Sequence, residues 1–86
     1  MVCFTITWRK STRKDLRKIP PGEVVKIIGA VEDLAWNPFP DGHKKLAATQ
    51  HAYRIRVGNY RVLYEVLGHV LTIDVIKVAH RKDVYR

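Results

Sequence analysis

The sequence predicts an α+β domain in which two helices pack on one face of an antiparallel sheet, in the order β-α-α-β-β-β. Three observations carry this prediction. Phe4, Ile6 and Trp8 alternate with Thr5 and Thr7, a period of two in β-favouring residues. Val24, Ile27, Ile28, Val31, Leu34 and Ala35 recur at spacings that set them on one helical face. From Tyr53 onward, alternating apolar segments are separated by two short glycine-containing turns, Gly58-Asn59 and Gly68-His69.

The elements follow in order. Phe4 to Trp8 forms the first strand. Ser11 to Ile19 forms a short helix, with Thr12 and Asp15 spaced as a capping box and only Leu16 and Ile19 as an apolar face. Pro20 and Pro21 end it. Pro21 can also open the second helix, because a first-turn residue needs no N–H. That helix runs to Ala35, with Lys26, Glu32 and Asp33 facing away from the core. Asn37-Pro38 stops it, and Pro40-Asp41-Gly42 turns the chain. A loop carrying Lys44 and Lys45 then runs to about Ala52, tethered to the core by Leu46. Strands follow at Tyr53 to Val57, Tyr60 to Leu67 and Val70 to Val78. There are no repeats or low-complexity segments, and the 86 residues suit a single domain, 1–86.

Composition bounds the partners. Lys and Arg total 16 against 8 for Asp and Glu, a formal net charge of +8. A field of that size on a small domain points to an anionic partner, nucleic acid or an acidic protein. The single cysteine, Cys3, cannot form an internal disulfide, and its apolar neighbours predict a buried, inert thiol. The N-terminus has neither a basic n-region nor a small-residue cleavage site, and no apolar run reaches the ~20 residues of a membrane span. A cytoplasmic protein is therefore expected. His43, His51 and His69 lie in loops or turns without metal-ligand spacing, so neither a metal nor a cofactor is expected. Trp8 and Trp36 read as core or edge-of-core residues.

The turns fix which residues face each other. With Gly58-Asn59 as the loop, Val57 pairs with Tyr60, Ile55 with Val62, and Tyr53 with Tyr64. With Gly68-His69 as the next loop, Val66 pairs with Leu71, Tyr64 with Ile73, and Val62 with Val75. Both readings put the same apolar set on one sheet face. On the other face Arg56 lies opposite Arg61, with Arg54 opposite Leu63. Like charges facing each other across strands destabilise a sheet, so an arginine cluster here marks an anion site. In this register Ile76 lies opposite Arg61. The residues after Val78, namely His80, Arg81 and Tyr85, then leave the sheet beside the arginines. Glu65 and Asp74 fall at the far end of that face and could orient the arginines by salt bridging.

YRIRVGNYRVLYEV, followed after a short turn by a strand and then HRKDVYR, resembles the RelE/ParE superfamily of toxins from bacterial type II toxin–antitoxin pairs. The resemblance covers nearly the whole chain and implies the RelE-like fold. It implies an endoribonuclease of the RelE type, an mRNA interferase that uses no metal and cleaves messenger RNA, commonly at the ribosome. It also implies an acidic, RelB-like antitoxin partner. Carried over by motif, the functional positions are Arg54, Arg56, Arg61, Arg81 and Tyr85, with His80 added because it precedes Arg81. Some RelE toxins carry lysines where this chain has Arg54 and Arg56. Arginine does not lose its proton, so neither is a general base, and attention shifts to His80 and Tyr85.

The chemistry implied is attack by the RNA 2′-hydroxyl on the adjacent phosphate. The enzyme must remove that proton, stabilise added negative charge and protonate the leaving oxygen. Arg56, Arg61 and Arg81 would hold the phosphate, and Arg54, Lys44 and Lys45 would bind the backbone. His80 could act as base or acid, and Tyr85 could stack on a base or move a proton. Two other functions fit the same resemblance: a ParE-type poison of DNA gyrase, and a non-catalytic module that only binds antitoxin or nucleic acid.

Overall fold

The computed structural model describes residues 3–47 and 50–84. Strand β1 (Thr5–Trp8) leads into α1 (Lys10–Arg17) and α2 (Pro21–Leu34). Strands β2 (Lys44–Lys45), β3 (Ala52–Val57), β4 (Tyr60–Leu67) and β5 (Thr72–His80) follow, then a short helix α3 (Arg81–Val84). The strands form one sheet in the order β1-β5-β4-β3-β2. β1 runs parallel to β5 and all other pairs are antiparallel, so the sheet is mixed where an antiparallel one was expected. Parallel neighbours need a long connection, which the helices and hairpins between β1 and β5 supply. Lys44 and Lys45, expected in a loop, pair with Arg54 and Tyr53 as a two-residue edge strand. Among the described residues no helix is long and apolar enough to cross a membrane.

The core lies between the helices and one sheet face. Ile27, Val31 and Leu34 of α2 are buried against Ile55, Val62, Tyr64, Ile73, Val75 and Val78. Val25, off that helical stripe, is exposed, and Ile28 is only partly covered. The Tyr64 hydroxyl is satisfied by donating to the Pro38 carbonyl oxygen at 2.7 Å. Trp8 packs against the core, but Trp36 is 62% exposed, and Cys3 is exposed instead of buried.

The first hairpin has the expected register. Val57 faces Tyr60, Ile55 faces Val62, Tyr53 faces Tyr64, and Arg56 faces Arg61. Gly58 sits at φ 60°, the left-handed value that the first position of a II′ turn requires. The second hairpin differs in two ways. Its loop takes four residues, Gly68 to Leu71, with Leu71 in the left-handed region at φ 46°, so Leu67 faces Thr72. This slides the pairing by two residues, which preserves the faces: Val66 meets Ile73 and Tyr64 meets Val75. Then a β-bulge intervenes. Tyr64 faces Val75 while Leu63 faces Lys77, leaving Ile76 as the extra residue. One inserted residue inverts the alternation. Beyond it Val78 points into the core, Arg61 faces Ala79 instead of Ile76, and His80 faces Tyr60.

Helix α1 secures that bulge. β1 ends at Trp8, opposite Val75, so among the described residues the remaining outer edge of β5 has no strand beside it. The fully buried Thr12 hydroxyl donates to the Val75 carbonyl oxygen at 2.9 Å, and the Val78 N–H donates to Asp15 Oδ2 at 3.3 Å. Thr12 and Asp15 are thus not a capping box. Arg9 holds the N-cap position and makes no side-chain cap. The spacing of three that suggested a cap instead places both side chains on the helix face turned to β5.

Two stability measurements check these contacts. Thr12→Val leaves the Val75 carbonyl with one partner fewer and should lower the unfolding free energy in urea by about 1 kcal/mol. Burial, with the neighbouring Tyr53 adding to it, pushes the Tyr64 phenol up to about 12 from its ordinary 10.0. The unfolded chain therefore loses this proton first. Stability should decline as pH rises from about 10 toward 12, by roughly 1.4 kcal/mol per pH unit from this group. The wild-type decline should exceed that of Tyr64→Phe, and equal slopes would exclude Tyr64 as its source.

Candidate nucleic-acid interface

The sheet face turned away from the helices carries the basic residues. The register sets Lys44 beside Arg54 on β2 and β3, with Leu63 and then Lys77 following across β4 and β5. The neighbouring row is Arg56, Arg61 and Ala79. Gly42, Lys44, Arg54, Ile55, Arg56 and Arg61 line a groove of about 170 Å³.

Backbone acceptors orient two of the guanidinium groups. Arg56 Nε donates to the Gly58 carbonyl oxygen and Arg61 Nη1 to that of Tyr60, each at 3.3 Å. Among the described residues neither makes an ion pair with a carboxylate. Directly opposed residues on adjacent strands stand about 5 Å apart, so these two cations repel each other unless an anion lies between them. Arginine suits that anion well, because its planar fork donates two parallel hydrogen bonds to a phosphate. Arg81 reaches the same end of the sheet. Its backbone N–H donates to the Asn59 carbonyl oxygen at 2.8 Å, which ties the start of α3 to the β3–β4 turn.

Not every predicted residue joins this cluster. His80 was expected beside the arginines, but the bulge at Ile76 turns it to the helix side. There its ring meets Tyr60 edge-on at 5.5 Å and borders a cleft with Asp15 of α1 and Lys18 just after it. His80 Nδ1 also accepts the Lys82 N–H at 3.3 Å, so the ring caps the first turn of α3. Lys45 pairs with Tyr53, on the opposite side of β2 from Lys44. Tyr85 lies outside the described residues. Lys77 was not foreseen on this face, since its place opposite Leu63 depends on the bulge.

Glu65 and Asp74 do not contact the cluster arginines. They face each other across β4 and β5, and Arg9 bridges them, with Nη2 to Glu65 Oε1 and Nε to Asp74 Oδ2, each at 2.7 Å. The Asp74 hydrogen bond leads in stabilising the charged Arg9. The sequence-derived register sets Glu65 opposite Thr72 and Asp74 opposite Leu63, so this bridge was not foreseen; the two-residue slide of the second hairpin brings the carboxylates face to face. The face is therefore cationic at the β3–β4 turn and locally neutralised at its other end. Among the described residues no group of three His, Cys, Asp or Glu is placed to hold a metal.

Comparison with known proteins shows the family and the fold. Residues 6–85 match the sequence model of the family described as ParE toxin of type II toxin–antitoxin system, parDE. The chain is 33% identical to the toxin RelG of Mycobacterium tuberculosis, covering 96% of this chain and 97% of that one. It is 35% identical to the toxin RelE3 of Methanocaldococcus jannaschii, covering 93% of each. Its fold is similar to a chain in the crystal structure of the toxin–antitoxin complex RelBE2 from M. tuberculosis. That match has a TM-score of 0.83 at 28% identity, over 93% of this chain and 100% of the other.

Proposed function

We propose that this chain, which belongs to the ParE toxin family of type II toxin–antitoxin systems, is an endoribonuclease of the RelE type that cleaves messenger RNA at the ribosome. The observation that carries the proposal is the juxtaposition of Arg56 and Arg61 across the first hairpin, with Arg81 anchored to the same turn. Cleavage through the RNA's own 2′-hydroxyl builds negative charge at phosphorus. Fixed guanidinium groups aimed at that charge stabilise the transition state. Arg56, Arg61 and Arg81 take this role. Arg54 and Lys44, in the adjoining row, hold the RNA backbone. Lys45, on the other side of β2, adds only to the general field that attracts RNA.

His80 acts as a positioning residue in this reading. Its ring accepts the Lys82 N–H and fixes the turn that presents Arg81. Tyr85 keeps the role of a group that stacks on a base or moves a proton. The chemistry of these residues calls for no metal. An acidic RelB-like antitoxin is the proposed partner. The fit with a net charge of +8 supports this, as does the similarity to toxins solved in complexes with RelB. Opposite charges should make that association fast and salt-sensitive. The family description favours a second reading, a toxin acting on DNA gyrase, which needs no arrangement around a phosphate.

Cleavage of a message by purified protein on translating ribosomes, read by primer extension, tests the first reading. Arg61→Ala should slow it by about 10²-fold or more. Intact message together with stalled gyrase would support the second. Binding of uncleavable RNA should weaken with salt, and Arg56→Ala should reduce the slope of log K against log salt by about 1. For His80, the asparagine variant retains a capping acceptor and the alanine variant does not. His80→Asn should keep most of the cleavage that His80→Ala loses. Equal loss in both would assign the imidazole to proton transfer instead.

A further inference from the structure

We propose that the cavity adjoining the arginine groove reads the base next to the bound phosphate and selects guanine. This rests on the reading of the arginine face as an RNA site. The cavity, about 300 Å³, lies between the C-terminal end of α2, the loop after it and β3. That volume is at the lower end of the range for small-ligand sites. It shares Gly42, Ile55 and Arg56 with the arginine groove, so a phosphate held by Arg56 would have its nucleoside at the cavity mouth. Among the described residues β2 pairs with Tyr53 and Arg54 of β3, and the strand edge at Ile55 and Arg56 has no strand neighbour. Gly42 stands between the two spaces, where an added Cβ would meet nothing within 4 Å, and its φ of 87° disfavours any side chain.

The lining suits a base. Leu34 and Ile55 give an apolar floor for the face of a ring, and Asp33, Asn37 and Asp41 surround it with polar groups. Glu65 and Asp74 are engaged by Arg9, and Glu23 by Lys26, whereas Asp33 and Asp41 make no ion pair among the described residues. A carboxylate only accepts hydrogen bonds. Guanine presents two adjacent donors, the N1 imino and N2 amino groups, which match one carboxylate bidentately. Uracil offers a single N–H between two carbonyls, which repel a carboxylate. The Asn37 side-chain oxygen already accepts the Phe39 N–H at 3.2 Å, leaving its amide hydrogens to donate to the guanine carbonyl. The same two acids, set within a basic surface, disfavour binding of a second phosphate in this space.

Fluorescence anisotropy with 2′-fluoro RNA tetramers, which cannot be cleaved through a 2′-hydroxyl, tests the proposal. UUGU, UUAU, UUCU and UUUU are titrated at low salt into the wild-type chain, Asp33→Asn and Asp41→Asn. UUGU should bind wild type about tenfold more tightly than UUUU, and at least one variant should reduce that ratio to about threefold or less. UUUU affinity should hold or rise slightly in the variants, since each removes a negative charge. Equal, salt-sensitive binding of all four tetramers would overturn the guanine pocket and leave the arginine face standing. No binding of any tetramer would overturn both.

Discussion

On either side of Ile76, side chains of α1 hold the backbone of β5 where β1 gives out. The Val75 carbonyl oxygen accepts the Thr12 hydroxyl and the Arg9 N–H, and the Val78 N–H donates to Asp15. These contacts pair the Val75 carbonyl and the Val78 N–H, the backbone groups that flank the extra residue. Much else depends on that residue. It puts Val78 in the core, turns His80 toward Tyr60 and α1, and continues the opposite face through Ala79 toward Arg81. In a strand without the bulge His80 would join the arginines. The arginine end of the sheet is thus set by how α1 docks on an edge that β1 is too short to cover.

The arginine face carries an electrostatic cost that the fold does not relieve. Arg56 and Arg61 oppose each other, and their hydrogen bonds go to backbone carbonyls instead of carboxylates. Glu65 and Asp74, the acids on this sheet face, are taken up by Arg9 and so withheld from the cluster. The arrangement favours an incoming anion over internal neutralisation. A phosphate would relieve the repulsion, so the same interaction that weakens the free chain would strengthen a complex.

Legibility in the sequence follows turn chemistry. Gly58-Asn59 is a two-residue turn, and it fixed the β3–β4 register and the Arg56–Arg61 pair correctly. Gly68-His69 gave the same kind of signal, but the loop extends to Leu71, a residue type that does not announce a left-handed conformation. The hydrophobic face survived this error because the slip was an even number of residues. The bulge left a faint trace in Val75-Ile76-Lys77-Val78, where apolar residues break alternation. Without the neighbouring strand and α1, that trace cannot be told from a strand apolar on both faces. The parallel placement of β1 and the burial of Thr12 are tertiary facts with no local signature. Nor could local pattern locate the cavity at Gly42, which is formed where the end of α2 and the loop after it meet β3.

The central claim is that the arginine face is where this toxin acts on RNA. The most direct test is to induce the chain in a bacterial host and map RNA 5′-ends within minutes, beside an Arg61→Ala/Arg81→Ala variant expressed to the same level. New ends should appear within translated messages for the wild-type chain and be absent in the variant. Growth arrest with intact messages, or the same ends from the variant, would contradict the claim.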